Sequence, residues 1–142
     1  VAEAEGYEGL VANTTSAFAS ISDAVNVICA EMARQQGAAV ALGAQARRLQ
    51  DAEREKLTLT AQLQIVRHGR AVDAHRAQAA DDAGTELPER ERRTAVLRAE
   101  EAAELTEKLA ATVEGINDTL DEIRSELADL VEESTGDSTV RG

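Results

Sequence analysis

The chain has 142 residues and a formal net charge of −12, and its 43% apolar content is almost wholly Ala, Leu, Val and Ile. With one Phe, one Tyr and no Trp it lacks the material for an aromatic-rich globular core, so packing along narrow aliphatic seams is expected. The acidity disfavours direct nucleic-acid binding and adhesion to an anionic membrane, and favours a partner with a basic surface.

The charge is unevenly placed. Residues 1–37 carry net −4, 38–68 net +2, 69–98 net 0 and 99–142 net −10. One Pro among abundant Ala, Glu, Arg, Gln and Leu is the composition of long helices, and the length suggests a single domain over 1–142. Cys29 stands alone, which rules out an intrachain disulfide and points to a reducing, intracellular compartment. No apolar run approaches the roughly 20 residues of a membrane span, and no secretory pattern opens the chain. Because the first residue is Val, the chain is expected to begin inside a longer product.

The first element is predicted over about 7–36. Tyr7, Val11, Thr14, Phe18, Ile21, Val25, Ile28 and Met32 alternate steps of four and three, a heptad seam on an otherwise polar helix. Gly37 follows as a stop, where a left-handed backbone is inexpensive.

The second element is predicted over about 43–68, with Leu42, Ala46, Leu49, Ala52, Leu59, Leu63 and Val66 on one face. Within it, "REKLTLTAQLQIVR" (Arg54 to Arg67) alternates from Leu57 to Ile65 as a strand would. A strand there would leave its backbone groups unpaired, since no second strand occurs in the sequence. Helix is the better reading. The short connection at Gly37 makes the first two helices antiparallel neighbours.

Residues 69–87 are rich in Ala, charge and turn formers, with Gly69 and Gly84, and read as a flexible insert that buries too little surface to order itself. The third helix is expected over about 88–133, opened by Thr85 or Glu86 with Pro88 in its first turn, and followed by a tail at 134–142. Leu109, Val113, Ile116, Leu120, Ile123, Leu127 and Leu130 carry its heptad seam. Gly115 beside that seam should cost about 1 kcal/mol against Ala, unless another backbone approaches it closely. The expected fold is therefore all-α: an elongated antiparallel bundle or coiled coil of three long helices, with a flexible insert between the second and third.

Candidate chemistry is sparse. His68 and His75 are seven residues apart, whereas a helical metal pair wants three or four, so they read as solvent-exposed side chains. Cys29 has acidic sequence neighbours and no nearby base, which suits packing better than nucleophilic catalysis. The carboxylates of the third helix, Glu100 to Glu133, lie opposite its seam and read as a solvated face or a contact for a basic partner. Arg47, Arg48, Arg54, Lys56 and Arg67 have no aromatic residue among them to stack on a base, and are expected to pair with neighbouring acidic helices. No phosphate loop and no nucleophile elbow occurs. Neither catalytic residues, metal ligands nor a cofactor is expected.

Two blocks carry a family resemblance. One is "YEGLVANTTSAFASISDAVNVICAEM", with Tyr7, Val11, Thr15, Ala17, Phe18, Ala19, Ser22 and Val25. The other is "ARRLQDAEREKLTLTAQLQ", from Arg47-Arg48-Leu49-Gln50 through Glu53, Leu57 and Thr58 to Leu63-Gln64. With the closing "LAATVEGINDTLDEIRSEL", the chain resembles the required-for-excision type B family over about residues 7–130, the insert excepted. The resemblance implies a small helical domain linked to DNA excision repair and supplies no active site. Family members usually have a further amphipathic helix before the Tyr-led one, which this sequence lacks.

A non-enzymatic interaction subunit is the function expected, with other helical proteins bearing a basic surface as partners. Its candidate contact residues are Val11, Phe18, Ile21, Val25, Ile28, Leu49, Leu59, Leu63, Ile116, Leu120, Ile123 and Leu127. A scaffold component of a ciliary or cytoskeletal assembly is the alternative. The protein is thus expected in the nucleus, the cytoplasm or cytoskeleton, or a cilium. Direct recognition of damaged DNA would require an exposed patch of Arg47, Arg48 and Arg54.

Overall fold

A computed structural model of the chain describes residues 2–34 and 37–140, with side chains described for 6, 8–32, 37 and 39–136. Three helices account for nearly all of it: α1 (Ala2–Arg34), α2 (Ala38–Asp82) and α3 (Glu89–Val140). The fold is an all-α helical bundle, with no strand among the described residues. Arg54 to Arg67 is helical throughout. On a helix its alternating apolar residues divide between two faces: Leu59, Leu63 and Val66 are buried, while Leu57 and Ile65 are exposed.

The helices are longer than their seams predict. Residues 69–82 are the last turns of α2, and only 83–88 connect it to α3. The flexible-insert reading of 69–87 is corrected on this point. Large apolar side chains are scarce there, but Ala71, Ala74, Ala77, Ala79 and Ala80 lose no side-chain entropy in a helix and hold it at little expense. Gly84, at φ 64°, ends α2. The Thr85 amide donates to the Ala80 carbonyl at 2.9 Å and the Gly84 amide to Asp81 at 2.9 Å, the Schellman pattern that closes a helix on a left-handed glycine. Neither Thr85 nor Glu86 opens α3. The Pro88 carbonyl accepts from the Arg92 amide at 3.1 Å, so Pro88 stands just before the helix, where its missing N–H is no loss.

At its start α2 follows Gly37 directly, ahead of the predicted 43, because Ala38, Ala39 and Ala41 are themselves good helix formers. Gly37 has φ 78°, the left-handed stop expected of it. The predicted tail continues as helix to Val140, and the Ser134 and Thr135 hydroxyls return to the Val131 carbonyl at 2.9 and 2.6 Å. The Tyr7 side chain, the predicted end of α1 at Gln36 and residues 141–142 lie outside the described residues.

The chain divides into two compact units. Unit 1 comprises Val1–Asp51 and Asp118–Gly142; unit 2 is Ala52–Asn117. Unit 2 is a helical hairpin whose core is Leu59, Leu63, Val66, Ala102 and Leu105, with Leu109 packed against it. In unit 1, α1 and α2 run antiparallel. Gly43 faces Met32 and Cys29, while Gln50 Nε2, two turns further along α2, donates to the Ser22 carbonyl two turns earlier on α1. A Cβ on Gly43 would stand 3.2 Å from that of Met32, so glycine permits this close approach.

Candidate interaction surface

Unit 2 is closed along its seam and clasped near its turn. Arg98 Nη1 donates to Asp73 Oδ1 at 2.6 Å and to the Gly69 carbonyl at 3.2 Å. Gly69 makes room for this, because a Cβ there would lie 2.9 Å from Arg98 Nε. The polar crevice beside the clasp is lined by Asp73, Arg76, Arg90, Glu91 and Thr94. Two guanidiniums there face two carboxylates, so the crevice offers neither an anion nor a cation an unbalanced charge, and Asp73 Oδ2 is buried without a hydrogen-bond partner.

Unit 1 covers α1 only from Ser22 onwards, where Ser22, Val25, Cys29 and Met32 are buried or half-buried, and leaves the described residues before it exposed. Cys29 and Leu42 are buried, and Gln45 donates to Glu126 Oε1 at 2.6 Å. Arg48 pairs with Glu122 at 2.9 Å, as its expected pairing with an acidic helix requires. Leu49, Leu120 and Ile123 are half-buried, while Leu127 is 48% exposed. On α1, Val25 is half-buried, but Phe18 is 51%, Ile21 60% and Ile28 56% exposed. Val11 and Leu10 are also exposed. At about 100° per residue, Leu10, Ile21 and Ile28 fall on one line with Val11 and Phe18 beside it, an apolar band roughly a quarter-turn wide.

Two further features of α1 matter. From Gly9 to Ser22 no side chain is charged, and residues 10–21 are all exposed. A shallow groove on this face is lined by Asn13, Thr14, Ala17, Phe18 and Ile21. Four of these stand at i, i+3, i+4 and i+7, the set that forms the hole for one side-chain knob of a facing helix.

The twelve seam candidates thus separate by environment. Leu59, Leu63 and Ile116 are buried, Val25, Leu49, Leu120 and Ile123 half-buried, and Val11, Phe18, Ile21, Ile28 and Leu127 exposed. Leu10, which the sequence reading passed over, belongs to the exposed band. Its three-turn spacing to Ile21 is the signal that would have found it. Gly115 has open space where a Cβ would sit, so no close backbone approach compensates it.

Elsewhere the polar residues are quiet. His68 and His75 are exposed, and no group of three His, Cys, Asp or Glu suited to a metal occurs among the described residues. Lys56 pairs with Glu53 on its own helix at 3.3 Å, not with a neighbouring one. No helix among the described residues is long and apolar enough to cross a membrane.

Residues 1–67 match the family model described as DNA repair REX1-B, which is the family the sequence resembles. The match takes in α1 and α2 to Arg67 and stops short of α3, so it is narrower than the resemblance over 7–130. Its description ties the family to DNA repair. No curated protein and no solved structure matches.

Proposed function

We propose that this chain is a non-enzymatic helical interaction subunit of a family linked to DNA excision repair, acting by burial of the open α1 stripe against a helix of another protein. One observation carries the reading: Phe18, Ile21 and Ile28 are more than half exposed on a helix that bears no charge from Gly9 to Ser22. Fully covering a Leu, Ile or Phe contributes about 1.5–3 kcal/mol, so covering these half-exposed side chains is worth about 1 kcal/mol each. The buried position of Cys29 and the exposure of both histidines support a role other than catalysis. The acidic α3, with Asp118 to Glu133, would speed encounter with a basic partner.

The test is to purify the protein natively at moderate salt, measure the mass of the particle by light scattering, and follow the protein in cells after ultraviolet damage. A particle heavier than one chain, containing helical partners and enriched at damage sites, is expected. Co-fractionation with stable filaments and no enrichment at damage would replace this reading with a scaffold of a ciliary or cytoskeletal assembly. A lone folded monomer would remove its physical basis.

A further inference from the structure

The open face of α1 belongs to a strongly acidic unit. Unit 1 contains fourteen acidic side chains against five basic ones, net −9, and unit 2 thirteen against ten, net −3. Glu8 is exposed beside the apolar band of α1 near its N-terminal end, and Asp129, Glu132 and Glu133 on α3 add to the charge of the same unit. A second copy docked on this face would bring two units of net −9 together. An apolar helix without charged flanks would gain the burial but nothing from that field. A helix with an apolar stripe between Lys or Arg flanks matches both: its stripe meets the uncharged face, and its flanks are drawn by the net negative charge of the unit.

We infer that the α1 face built from Leu10, Thr14, Ala17, Phe18, Ile21 and Ile28 is a docking site for a basic amphipathic helix of another protein. This rests on the interaction reading above and names the class of partner. The hole at Thr14, Ala17, Phe18 and Ile21 receives one apolar knob of that helix. The charge of the flanks gives orientation and encounter rate, and the apolar contact holds the complex.

The experiment uses the full chain and three labelled synthetic peptides of about 20 residues, the length of a helix about 30 Å long. One is an amphipathic Leu/Lys helix, one has the same Leu positions with Glu for Lys, and one is a scrambled Leu/Lys sequence of identical composition. Binding is read by fluorescence anisotropy at about 0.15 M salt, where charges more than about 8 Å apart are screened. The Leu/Lys helix is expected to bind at least about tenfold tighter than either control, and Phe18→Ala/Ile21→Ala to weaken it about tenfold or more. Both side chains are half exposed and Ala favours helix, so the variant keeps its fold; circular dichroism verifies this.

Equal binding of the scrambled peptide, or unchanged affinity in the variant, would reduce the effect to general attraction by an acidic surface and overturn the site. Tight binding of the Leu/Glu helix would overturn the partner class. Light scattering on the free chain separates the remaining cases. A dimer that falls to monomer in the variant would put a second copy on the face, overturning the basic partner while the interaction reading survives. A monomer that binds none of the peptides would end both.

Discussion

In unit 2, the Leu59–Leu63–Val66 stripe of α2 meets α3, and Leu63 is left 3% exposed; on α1, a stripe of the same four-and-three spacing leaves Phe18 51% exposed. Periodicity is equal in the two, and so is the choice of large aliphatic or aromatic side chains. What differs is whether the chain itself supplies the cover. In the hairpin, α3 returns through a six-residue connection and lays Ala102 and Leu105 on the α2 stripe. The outer line of α1 receives no such layer. A heptad pattern therefore says that a helix face is built to be covered, and says nothing of what covers it.

The sharpest way to break this contrast is to truncate one residue from each stripe. Leu63→Ala should cost about 2–5 kcal/mol, since the site is fully packed and cannot collapse completely. Phe18→Ala should stay within about 0.5–1 kcal/mol in the isolated chain, because half of the ring is already in water. Urea unfolding followed by circular dichroism measures both. A Phe18→Ala loss as large as that of Leu63→Ala would mean that α1 is covered within the chain, and the two stripes would no longer differ.

A pair of glycines sharpens the account of how the hairpin is held. Replacing Gly115 by Ala meets open space, so the variant should gain about 1 kcal/mol of helix propensity. Gly69→Ala gains the same propensity, but its Cβ would press on the Nε, Cδ and Cζ of Arg98 at 2.9–3.1 Å. Moving that guanidinium loosens its bonds to Asp73 and to the Gly69 carbonyl, and charged hydrogen bonds of this kind are worth about 1.5–3 kcal/mol. The net expectation is a loss of about 1 kcal/mol for Gly69→Ala, opposite in sign to Gly115→Ala. Thermal midpoints of the two variants decide it. Two gains of equal size would mean that the clasp contributes little.

Much of this fold was legible in the sequence because seams are periodic. The all-α class, the left-handed stop at Gly37 and the helical state of Arg54 to Arg67 followed from spacing and from the lack of a second strand. Residues 69–82 were not legible in the same way. Their order comes from Ala propensity and from the Asp73–Arg98 clasp, neither of which leaves an apolar period. The close fit of Gly43 to Met32 was equally hidden, since a sequence does not show which glycine faces a neighbour. The exposed band on α1 was legible as a stripe and not as an exposed one. Val25 and Phe18 sit at equivalent heptad positions, yet Val25 is half-buried and Phe18 exposed.

The smallest effect concerns the surface charges of the hairpin. Lys108 Nζ lies 2.8 Å from Glu104 Oε1, one turn apart on α3, with the carboxylate on the N-terminal side as helices prefer. The hydrogen bond and the charge of Lys108 hold the Glu104 carboxyl below its ordinary range, and Glu104 in turn raises Lys108. For the lowered carboxyl, the stabilising contribution is present above the unfolded value and lost as pH falls through the folded one. For the raised ammonium it is present below the unfolded value and lost as pH rises through the folded one. The pair therefore favours the fold across neutral pH and fades towards both extremes. Both side chains are more than half exposed, where water and salt screen them, so Glu104→Gln should leave the neutral-pH thermal midpoint unchanged within measurement. A fall comparable to that of Gly69→Ala would mean that exposed charge along α3 stabilises the hairpin beside its Leu63 seam. The contrast with α1 would then be one of electrostatics as well, because α1 has no charged side chain between Gly9 and Ser22 with which to form such a pair.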